Sequence, residues 1–570
     1  MKLIKKIISS PDFIALLVVV FFGILASYPL LGKGYFNMHD DLQMMRQLEM
    51  EKCILDGQIP CRWVPDMGYG FGFPLFNFYP PLPYLVGQGI RALGYDFVSS
   101  AKGIFVVAFV ASGISMYYLG KQFFGRLGGI LSAGFYVWAP YHALDVYVRG
   151  AANESWAMVF FPLILWIGYR LIKEKKNNLP WIVGLALSWF GLLTSHNLMV
   201  LVFTPVFGVW CLIWLFREKA WKKIPQLLIS GIFALGLAAF FTIPALVENK
   251  YTHVSSVLSG YYDYSGHFAT INQILFSRFW GFGASIWLED DGMSFQVGHI
   301  HWISSIIVIA IVAYNIFKKK KLDELSIIMV FMFMVGWVAT FLIHSRSTPV
   351  WLAVTPLRYL QFPWRFLVLP TFCYSLMIGS VVKILPGKIG KYLPWILIIG
   401  LIAFDWNYFK PEHGKLGNLT DETKFTAAAW ELQQTAGIWD YLPATAEMAP
   451  REPMKYLGEA VKGKADVTET SQGTNWANFK VNVLEDETWV RVGIMNFPGW
   501  KALVDGKEVK IEIPYEEKWG RMWLAIPKGE HSVEVRFHNT PVRTISNIIS
   551  LASWVTLLSF PFWSKKTRIV

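Results

Sequence analysis

Apolar residues form long uninterrupted runs over most of the chain. A run of roughly 20 apolar residues is long enough to cross the hydrocarbon layer of a bilayer as a helix. About twelve runs meet this criterion, and they cover residues 12–31, 98–120, 127–143, 155–172, 179–195, 197–216, 225–246, 299–317, 325–344, 363–383, 392–409 and 544–563. The pattern predicts an α-helical polytopic membrane protein.

Near the C-terminus the apolar period changes from helical to alternating. From about residue 477, apolar residues occupy every second position of several short runs, as in Phe479, Val481 and Val483. Asp505-Gly506 lies between two such runs and predicts a hairpin turn. We therefore expect a small β-sandwich. The predicted domains are a multi-span membrane domain (1–409), an extracytoplasmic domain with a helix at 421–434 before the sandwich (410–543), and a last helix with a basic tail (544–570).

Composition and charge place the chain in a membrane. Of its 570 residues, 54% are hydrophobic and only 16% are charged, against roughly 25% charged in soluble domains. Basic residues cluster in every second loop, which predicts that those loops and both termini are cytoplasmic. The first span is longer than a signal-peptide core and predicts an uncleaved anchor. The net charge of +12 then reflects topology in the cytoplasmic membrane of the cell, and nucleic acid is not an expected partner.

The first long outer loop, residues 32–97, opens with a histidine and two adjacent carboxylates, His39-Asp40-Asp41. Charged groups beside lipid are costly and are often functional. The alternative is that Asp40 or Asp41 caps a helix over 42–55. That helix has Leu42, Met45, Leu48 and Leu55 on one face and Gln43, Arg46, Gln47 and Glu51 opposite. We expect it to lie at the membrane interface.

The same loop continues with glycines, prolines and aromatic residues over 68–84. Their density excludes a regular helix, and aromatic residues suit the headgroup region. The turns favour a folded re-entrant loop over a cavity. Cys53 and Cys61 lie in this loop, where a disulfide is plausible in an oxidising compartment, although the spacing does not require one.

Further polar residues lie at predicted outer ends of spans. Arg149 and Glu154 flank the second outer loop and would pair with each other or bind substrate. Ser195-His196-Asn197 follows the fifth span; a histidine there is either structural or part of a site. Arg365 either snorkels beside an aromatic belt or clamps an anion, because a guanidinium matches phosphate oxygens.

The second long outer loop, 247–298, contains a run of three acids, Glu289-Asp290-Asp291, and two histidines follow it. Carboxylates and imidazoles are ligands for divalent metals. The spacing fits no specific metal motif, and a solvated acidic turn explains the run equally.

Taken in order, several of these motifs resemble the bacterial membrane proteins labelled 6-pyruvoyl-tetrahydropterin synthase-related. The motifs are Asp40-Asp41, Gly68 to Tyr84, Arg149-Gly150 with Glu154, Ser195-His196-Asn197, and Leu360-Gln361-Phe362-Pro363-Trp364-Arg365. Asn496-Phe497-Pro498-Gly499-Trp500-Lys501, with Val504-Asp505-Gly506-Lys507, resembles the outer β-domain of YfhO-like proteins. Such proteins resemble the GT-C glycosyltransferase superfamily.

The resemblance implies sugar transfer from a polyprenyl-phosphate donor to an envelope glycan, lipid or protein. It implies that Asp40 and Asp41 are catalytic, one of them as general base. The substrate-binding candidates are His39, Arg149, Glu154, His196, Asn197, Arg358, Trp364 and Arg365. It leaves open whether a divalent cation, Mg²⁺ or Mn²⁺, takes part; the metal-ligand candidates are Asp41, Glu289, Asp290 and Asp291.

Two other functions fit the same sequence. The chain would also suit a transporter of lipid-linked sugars or a non-catalytic envelope assembly protein. Transport predicts charges in the middle of spans, whereas the polar groups here concentrate at predicted outer span ends. That distribution favours chemistry on one side of the membrane.

Overall fold

The computed structural model describes residues 10–286, 290–385, 387–412 and 417–566, and most of this chain is helical. Within these residues, nine helices are long and apolar enough to cross a membrane. They are Phe97–Val137, Ala152–Lys173, Asn197–Arg217, Trp221–Val247, His299–Lys319, Glu324–Leu342, Pro363–Ile384, Gly387–Tyr408 and Pro541–Ser559. Two shorter apolar helices are Pro11–Ala26 and Leu179–Ser195. The helices are compatible with a multi-pass membrane protein, and the predicted count of twelve spans is not confirmed.

The helical segment Phe97–Val137 is 41 residues long and is interrupted at Gly125. Gly125 has φ 77° and ψ −178°, which lie outside the helical region. Glycine adopts positive φ without steric cost. The two spans predicted at 98–120 and 127–143 flank this break.

Shorter helices connect the long ones. They are Gln43–Leu55, Leu75–Phe78, Leu82–Ala92, Pro140–Ala143, Thr348–Ala353, Asp421–Lys424 and Ala427–Thr435. The single helix predicted over 421–434 is therefore two short helices, separated by Phe425 and Thr426.

The C-terminal region forms two antiparallel sheets. The strands are β1 Gly458–Lys462, β2 Ala465–Gln472, β3 Trp476–Val483, β4 Thr488–Met495, β5 Trp500–Val504, β6 Lys507–Val509, β7 Arg521–Ile526 and β8 Gly529–Phe537. One sheet has the order β1-β4-β7 and the other β2-β3-β8-β5-β6. The predicted turn at Asp505-Gly506 joins β5 to β6, where Val504 pairs with Lys507. Both turn residues have positive φ, 49° and 75°, as a two-residue hairpin requires.

The chain divides into two compact units, each built from separate stretches of sequence. The first unit takes the described parts of Met1–Asp41, Val98–Ala234 and Leu258–Leu419. The second unit takes the described parts of Leu42–Phe97, Leu235–Val257 and Thr420–Val570. The β-strands therefore belong to the same unit as most of the first long loop.

One hydrophobic core fills the second unit and includes residues from both sheets together with Trp63, Tyr69, Phe71 and Phe78. The Trp63 ring lies 5.4 Å from the Trp500 ring. Tyr69, Phe71 and Phe78 therefore contribute to a protein core rather than to an aromatic belt in the headgroup region. Packing against the strands removes their apolar surface from water.

A disulfide joins Cys53 to Cys61 in the second unit. The short loop that it closes contacts the strand region through Asp56 and Gln58. Asp56 Oδ2 accepts a hydrogen bond from the Thr474 backbone N–H at 2.6 Å, and Gln58 Nε2 donates to Thr474 Oγ1 at 3.1 Å. The disulfide thus fixes one of the points at which the loop and the strands meet.

The helix Gln43–Leu55 is buried on both faces, since Leu42 and Met45 of the predicted apolar face are buried as well as the polar face. It therefore does not present its polar face to solvent at the interface, contrary to the sequence prediction. Gln43, Arg46 and Glu49 are buried, whereas Leu55 is 79% exposed. Tyr84 donates a hydrogen bond to Gln43 Oε1 at 2.7 Å, and the Arg46 guanidinium lies 4.1 Å from the ring centre of Tyr79. These contacts give part of the buried polar face partners within the second unit.

Candidate functional site

The candidate site in the first unit is built around a short irregular segment between two helices. After the helix Pro140–Ala143, residues Leu144–Val148 form a single π-helical turn. Such turns are frequent at functional sites because they redirect side chains. Here the turn places Asp145 and Arg149 side by side, just before the helix Ala152–Lys173 begins.

Arg149 is the centre of a buried charge cluster. Its guanidinium pairs with Asp145 and, through Nη2, with Glu154 Oε2 at 2.9 Å. The Tyr141 hydroxyl lies 3.2 Å from Arg149 Nη1 and also donates to Glu154. The side chains of Asp145 and Glu154 have no exposed surface, and that of Arg149 is 9% exposed. The arginine and its two carboxylates therefore form a single interacting group.

Arg365 and Trp364 close the cluster on another side. Arg365 Nε lies 3.8 Å from Glu154 Oε2, and its Nη1 donates to Gln361 Oε1 at 2.9 Å. The Arg149 guanidinium lies 4.5 Å from the ring centre of Trp364, as a cation–π contact. Glu154 therefore interacts with both arginines, and the sequence motif 360–365 meets the motif 149–154.

The backbone of His39 and Asp40 runs beside Arg149. The His39 N–H donates to Val148 O at 3.0 Å, and the Asp40 N–H donates to Arg149 O at 2.9 Å. Asp40 is partly exposed. These two hydrogen bonds bring the first acid of the pair to the edge of the charge cluster.

Close approach of these two segments depends on Gly150. Its φ is 62°, and a Cβ added there would lie 2.1 Å from Met38 Sδ. No side chain fits at that distance without movement of Met38 or of the backbone. Glycine therefore allows the segment that carries Asp40 to lie against the segment that carries Arg149.

His196 lies close enough to the cluster to interact electrostatically with Glu154, Arg365 and Arg149. The Asn153 side chain donates to Ser195 O at 2.8 Å, which ties the start of the helix Ala152–Lys173 to the end of the helix Leu179–Ser195. Burial lowers the pKa of His196 to about 3. The imidazole is therefore neutral near pH 7 and can accept or donate a hydrogen bond without adding charge.

The cluster pairs two arginines with two carboxylates, but one carboxylate is poorly suited to carry charge. Burial, and then the charge of Glu154, raise the pKa of Asp145 well above its usual range. Guanidinium groups are strong hydrogen-bond donors to phosphate oxygens, so Arg149 and Arg365 are the groups of the cluster that suit an anion.

Other predicted residues lie outside the buried interior of this cluster. Arg358 and Asn197 are exposed, unlike Arg149 and Glu154. Asp41 is partly exposed, and the helix that follows begins at Gln43 with Leu42 as its N-cap residue. Neither Asp40 nor Asp41 occupies the capping position.

The acidic loop does not form a metal site within the described residues. Glu289 lies outside the described part of the chain, and Asp290 is exposed. Asp291 is buried and accepts hydrogen bonds from the Gln273 side chain and the Ile286 backbone. Nowhere in the described residues do three His, Cys, Asp or Glu side chains come together as metal ligands. Asp41 is part of no such set there, so we assign no step to Mg²⁺ or Mn²⁺.

Sequence reasoning did not assign Asp145 and Tyr141 to the site. Asp145 stands four residues before Arg149, a spacing that places an acid and a base on one helical face. This spacing could have indicated that Asp145 pairs with Arg149. For Tyr141 we see no comparable signal, because its contact with Glu154 depends on the break between two helices.

No protein-family model matches the chain. A stretch of 280 residues is 24% identical to an uncharacterized protein of Lactococcus lactis subsp. cremoris (strain MG1363). The aligned part covers 46% of this chain and 44% of that relative, so the chain matches less than half of the relative's length. No activity passes to this chain from that similarity.

Proposed function

We propose that the chain is a membrane glycosyltransferase of the GT-C type. It would move a sugar from a polyprenyl-phosphate donor to an envelope acceptor on the outer face of the cytoplasmic membrane. The observation that carries the proposal is the hydrogen bond from the Asp40 N–H to Arg149 O at 2.9 Å. It supports the proposal because it holds the backbone of Asp40, whose side chain is partly exposed, against the backbone of Arg149.

The proposed transfer uses the two kinds of group in different roles. An acceptor hydroxyl attacks the anomeric carbon of the donor while its proton passes to the carboxylate of Asp40 or Asp41. The bond between the anomeric carbon and the phosphate oxygen breaks, and the polyprenyl phosphate leaves with the electron pair. Arg365, 13% exposed, and Arg149 would stabilise that phosphate.

The same proposal includes the finer topology. Treating Phe97–Val137 as two spans around Gly125 and adding the two shorter apolar helices restores twelve spans. The termini would be cytoplasmic, and the strand region would be an extracytoplasmic β-sandwich. The Cys53–Cys61 disulfide supports an outer position for residues 32–97, because disulfides persist in oxidising compartments.

A transporter of lipid-linked sugars remains the alternative. It would need cationic groups for the phosphate but no general base. Glu154 and Arg365 lie in the first turns of their helices, which places them at span ends and favours transfer over alternating access. Loss of function on removal of Asp40 and Asp41 separates the two functions.

The test compares cells that lack the gene with cells that carry variants of it. Mass spectrometry of envelope glycans and lipid-linked sugars first identifies the sugar that depends on the protein. We expect Asp40→Asn or Asp41→Asn to lower that sugar by roughly 10²-fold or more, since a general base contributes about that factor. Asparagine keeps the size of the side chain but does not accept the proton.

Asp323→Asn is the matched control, because Asp323 caps a helix and accepts a hydrogen bond from Ser326 N at 2.8 Å. Asparagine caps almost as well as aspartate, so this variant should restore the sugar. Restoration of the sugar by both single Asn variants and by the double variant would exclude the proposed base.

A further inference from the structure

The loop that follows the seventh predicted span encloses a cavity of about 160 Å³ in the first unit. Its polar walls come from Asn272 and Gln273 on a π-helical turn and from Asp291 and Ser294. Phe279 and Phe295 supply aromatic walls. None of the arginines of the charge cluster lines this cavity, so it requires its own explanation.

Asp291 is the charged group of the cavity and is 6% exposed. Its Oδ2 accepts a hydrogen bond from Gln273 Nε2 at 2.9 Å, and its Oδ1 accepts one from the Ile286 N–H at 2.7 Å. A carboxylate oxygen accepts more than one hydrogen bond. The carboxylate is thus fixed in place and still able to accept from a ligand hydroxyl, while its charge disfavours anions.

The volume of the cavity and its aromatic walls further restrict the class of ligand that it can bind. Pockets for drug-sized ligands measure roughly 300–1,000 Å³, so this cavity suits one small ring. Phe279 is 53% exposed, whereas Phe295 is 2% exposed. Aromatic rings on the walls suit a ligand with an apolar face, and the carboxylate, amides and hydroxyl suit a ligand with hydroxyl groups at its edge. A sugar ring has both properties.

Contacts across the first unit place the cavity beside the charge cluster. The Phe295 ring stacks on Trp364 at 5.8 Å, and Trp364 lies under Arg149 at 4.5 Å. On another side, His39 Nε2 lies 3.1 Å from Phe282 O, and Phe282 pairs with Met293 of the cavity wall. The cavity is therefore linked to both the arginines and the acidic pair.

We propose that this cavity binds one neutral sugar ring, with hydroxyl groups on Asp291 and Gln273 and an apolar face against Phe279 or Phe295. The inference rests on the proposed function and deepens it, since it names the place that holds the accepting sugar. A sugar against Phe295 would be separated by the Phe295 and Trp364 rings from Arg149, where the donor phosphate is expected.

The test measures binding without transfer. Saturation-transfer NMR on the full chain in detergent micelles would use methyl hexopyranosides, methyl N-acetylhexosaminides and methyl pentofuranosides as probes. We expect at least one probe to bind. Asp291→Asn should weaken it roughly 10-fold or more, because hydrogen bonds to charged groups contribute most. Phe279→Ala should weaken it by about 3- to 10-fold.

Two control variants are matched to Asp291→Asn and Phe279→Ala. Asp263→Asn removes the same charge beside a second cavity of the same loop, and Phe276→Ala removes a ring that is also more than half exposed. Both should bind the probe within about twofold of the unaltered chain. Asparagine at 291 keeps the acceptor for Ile286 N, and Phe279 is exposed, so these substitutions should leave the fold intact.

The outcomes separate this inference from the proposed function. Lack of binding by every probe, or unchanged binding in both Asp291→Asn and Phe279→Ala, overturns the sugar cavity even if Asp40→Asn abolishes transfer. Binding that depends on Asp291 supports the cavity even if the Asp40 and Asp41 variants restore the envelope sugar, in which case only the transferase is excluded.

Discussion

Gly150 determines how closely Asp40 approaches Arg149. An alanine there would keep a φ of 62° and would place its Cβ 2.1 Å from Met38 Sδ. Positive φ at a residue with a side chain costs of order 1–3 kcal/mol. The clash with Met38 adds to that cost and acts on the segment that carries the acidic pair.

We therefore expect Gly150→Ala to lower both thermal stability and the dependent envelope sugar. Gly125→Ala is the matched control: Gly125 has φ 77°, but nothing lies within 4 Å of the position that a Cβ would take there, so it reports the backbone strain alone. Combining Gly150→Ala with Met38→Ala should recover the part due to the clash. Equal losses in the Gly125 and Gly150 variants would mean that the contact with Met38 has no role.

The sequence pattern identified the charged residues of the cluster around Arg149 better than the residues that contact them. Arg149, Glu154, Trp364 and Arg365 meet in the structure as one group, because polar residues at span ends are few and must pair when buried. Arg358, two residues before the motif 360–365, carries the same type of charge and is exposed. Residue type alone does not distinguish these two positions; the 3₁₀ turns of 355–367 decide which guanidinium points inward.

Among the elements of the second unit, a buried carboxylate connects the last helix to the segment that carries Arg62 and Asn77. Glu248 Oε2 accepts hydrogen bonds from Arg543 Nε at 2.8 Å and from Asn77 Nδ2 at 2.9 Å. Asn77 in turn accepts from Arg62 Nη1 at 3.0 Å. Burial and the charge of Arg543 lower the pKa of Arg62 to about 9. Glu248 is the carboxylate that compensates this pair of arginines.

Removal of that carboxylate should be costly. We expect Glu248→Ala to lower the free energy of unfolding by about 3–5 kcal/mol, because it leaves buried guanidinium groups uncompensated. Glu452→Ala, which breaks an exposed pair with Lys455, should change it by less than about 1 kcal/mol. Thermal unfolding of the full chain in detergent would compare the two. Equal melting temperatures would show that Glu248 does not hold the helix in place.

The strands show that apolar alternation predicts a half-buried strand but not an exposed one. β3 matches the predicted alternating run at Phe479, Val481 and Val483, because one face of the strand is buried. β2 is polar and largely exposed, so it has no alternation to detect and pairs with β3 through its backbone. The helix Gln43–Leu55 failed for the opposite reason: its polar residues are buried by partners that lie far away in the sequence.

For the molecule as a whole, orientation in the membrane is the property that the proposal needs most. We expect a cysteine at Lys464, whose side chain is 75% exposed, to react with a membrane-impermeant maleimide in intact cells. A cysteine at Lys175, in a basic loop predicted to be cytoplasmic, should react only after lysis. The native thiols Cys211 and Cys373 are buried and should give little background.

Labelling of the Lys175 position but not the Lys464 position in intact cells would reverse the topology. It would also place the Cys53–Cys61 bridge in a reducing compartment, because 42–97 and 420–570 belong to one compact unit. The predicted orientation and the presence of the disulfide therefore depend on each other.

The shared core of the second unit has a consequence for the time at which it forms. Phe78 leaves the ribosome about 400 residues before Ala477, although both belong to that core. At roughly 5–20 residues per second, the first part waits on the order of 20–80 s for its partner. During that interval Trp63, Phe71 and Phe78 lack the strands that cover them. We therefore expect lipid or a folding helper to cover these apolar residues until the strands of 458–537 have been synthesised.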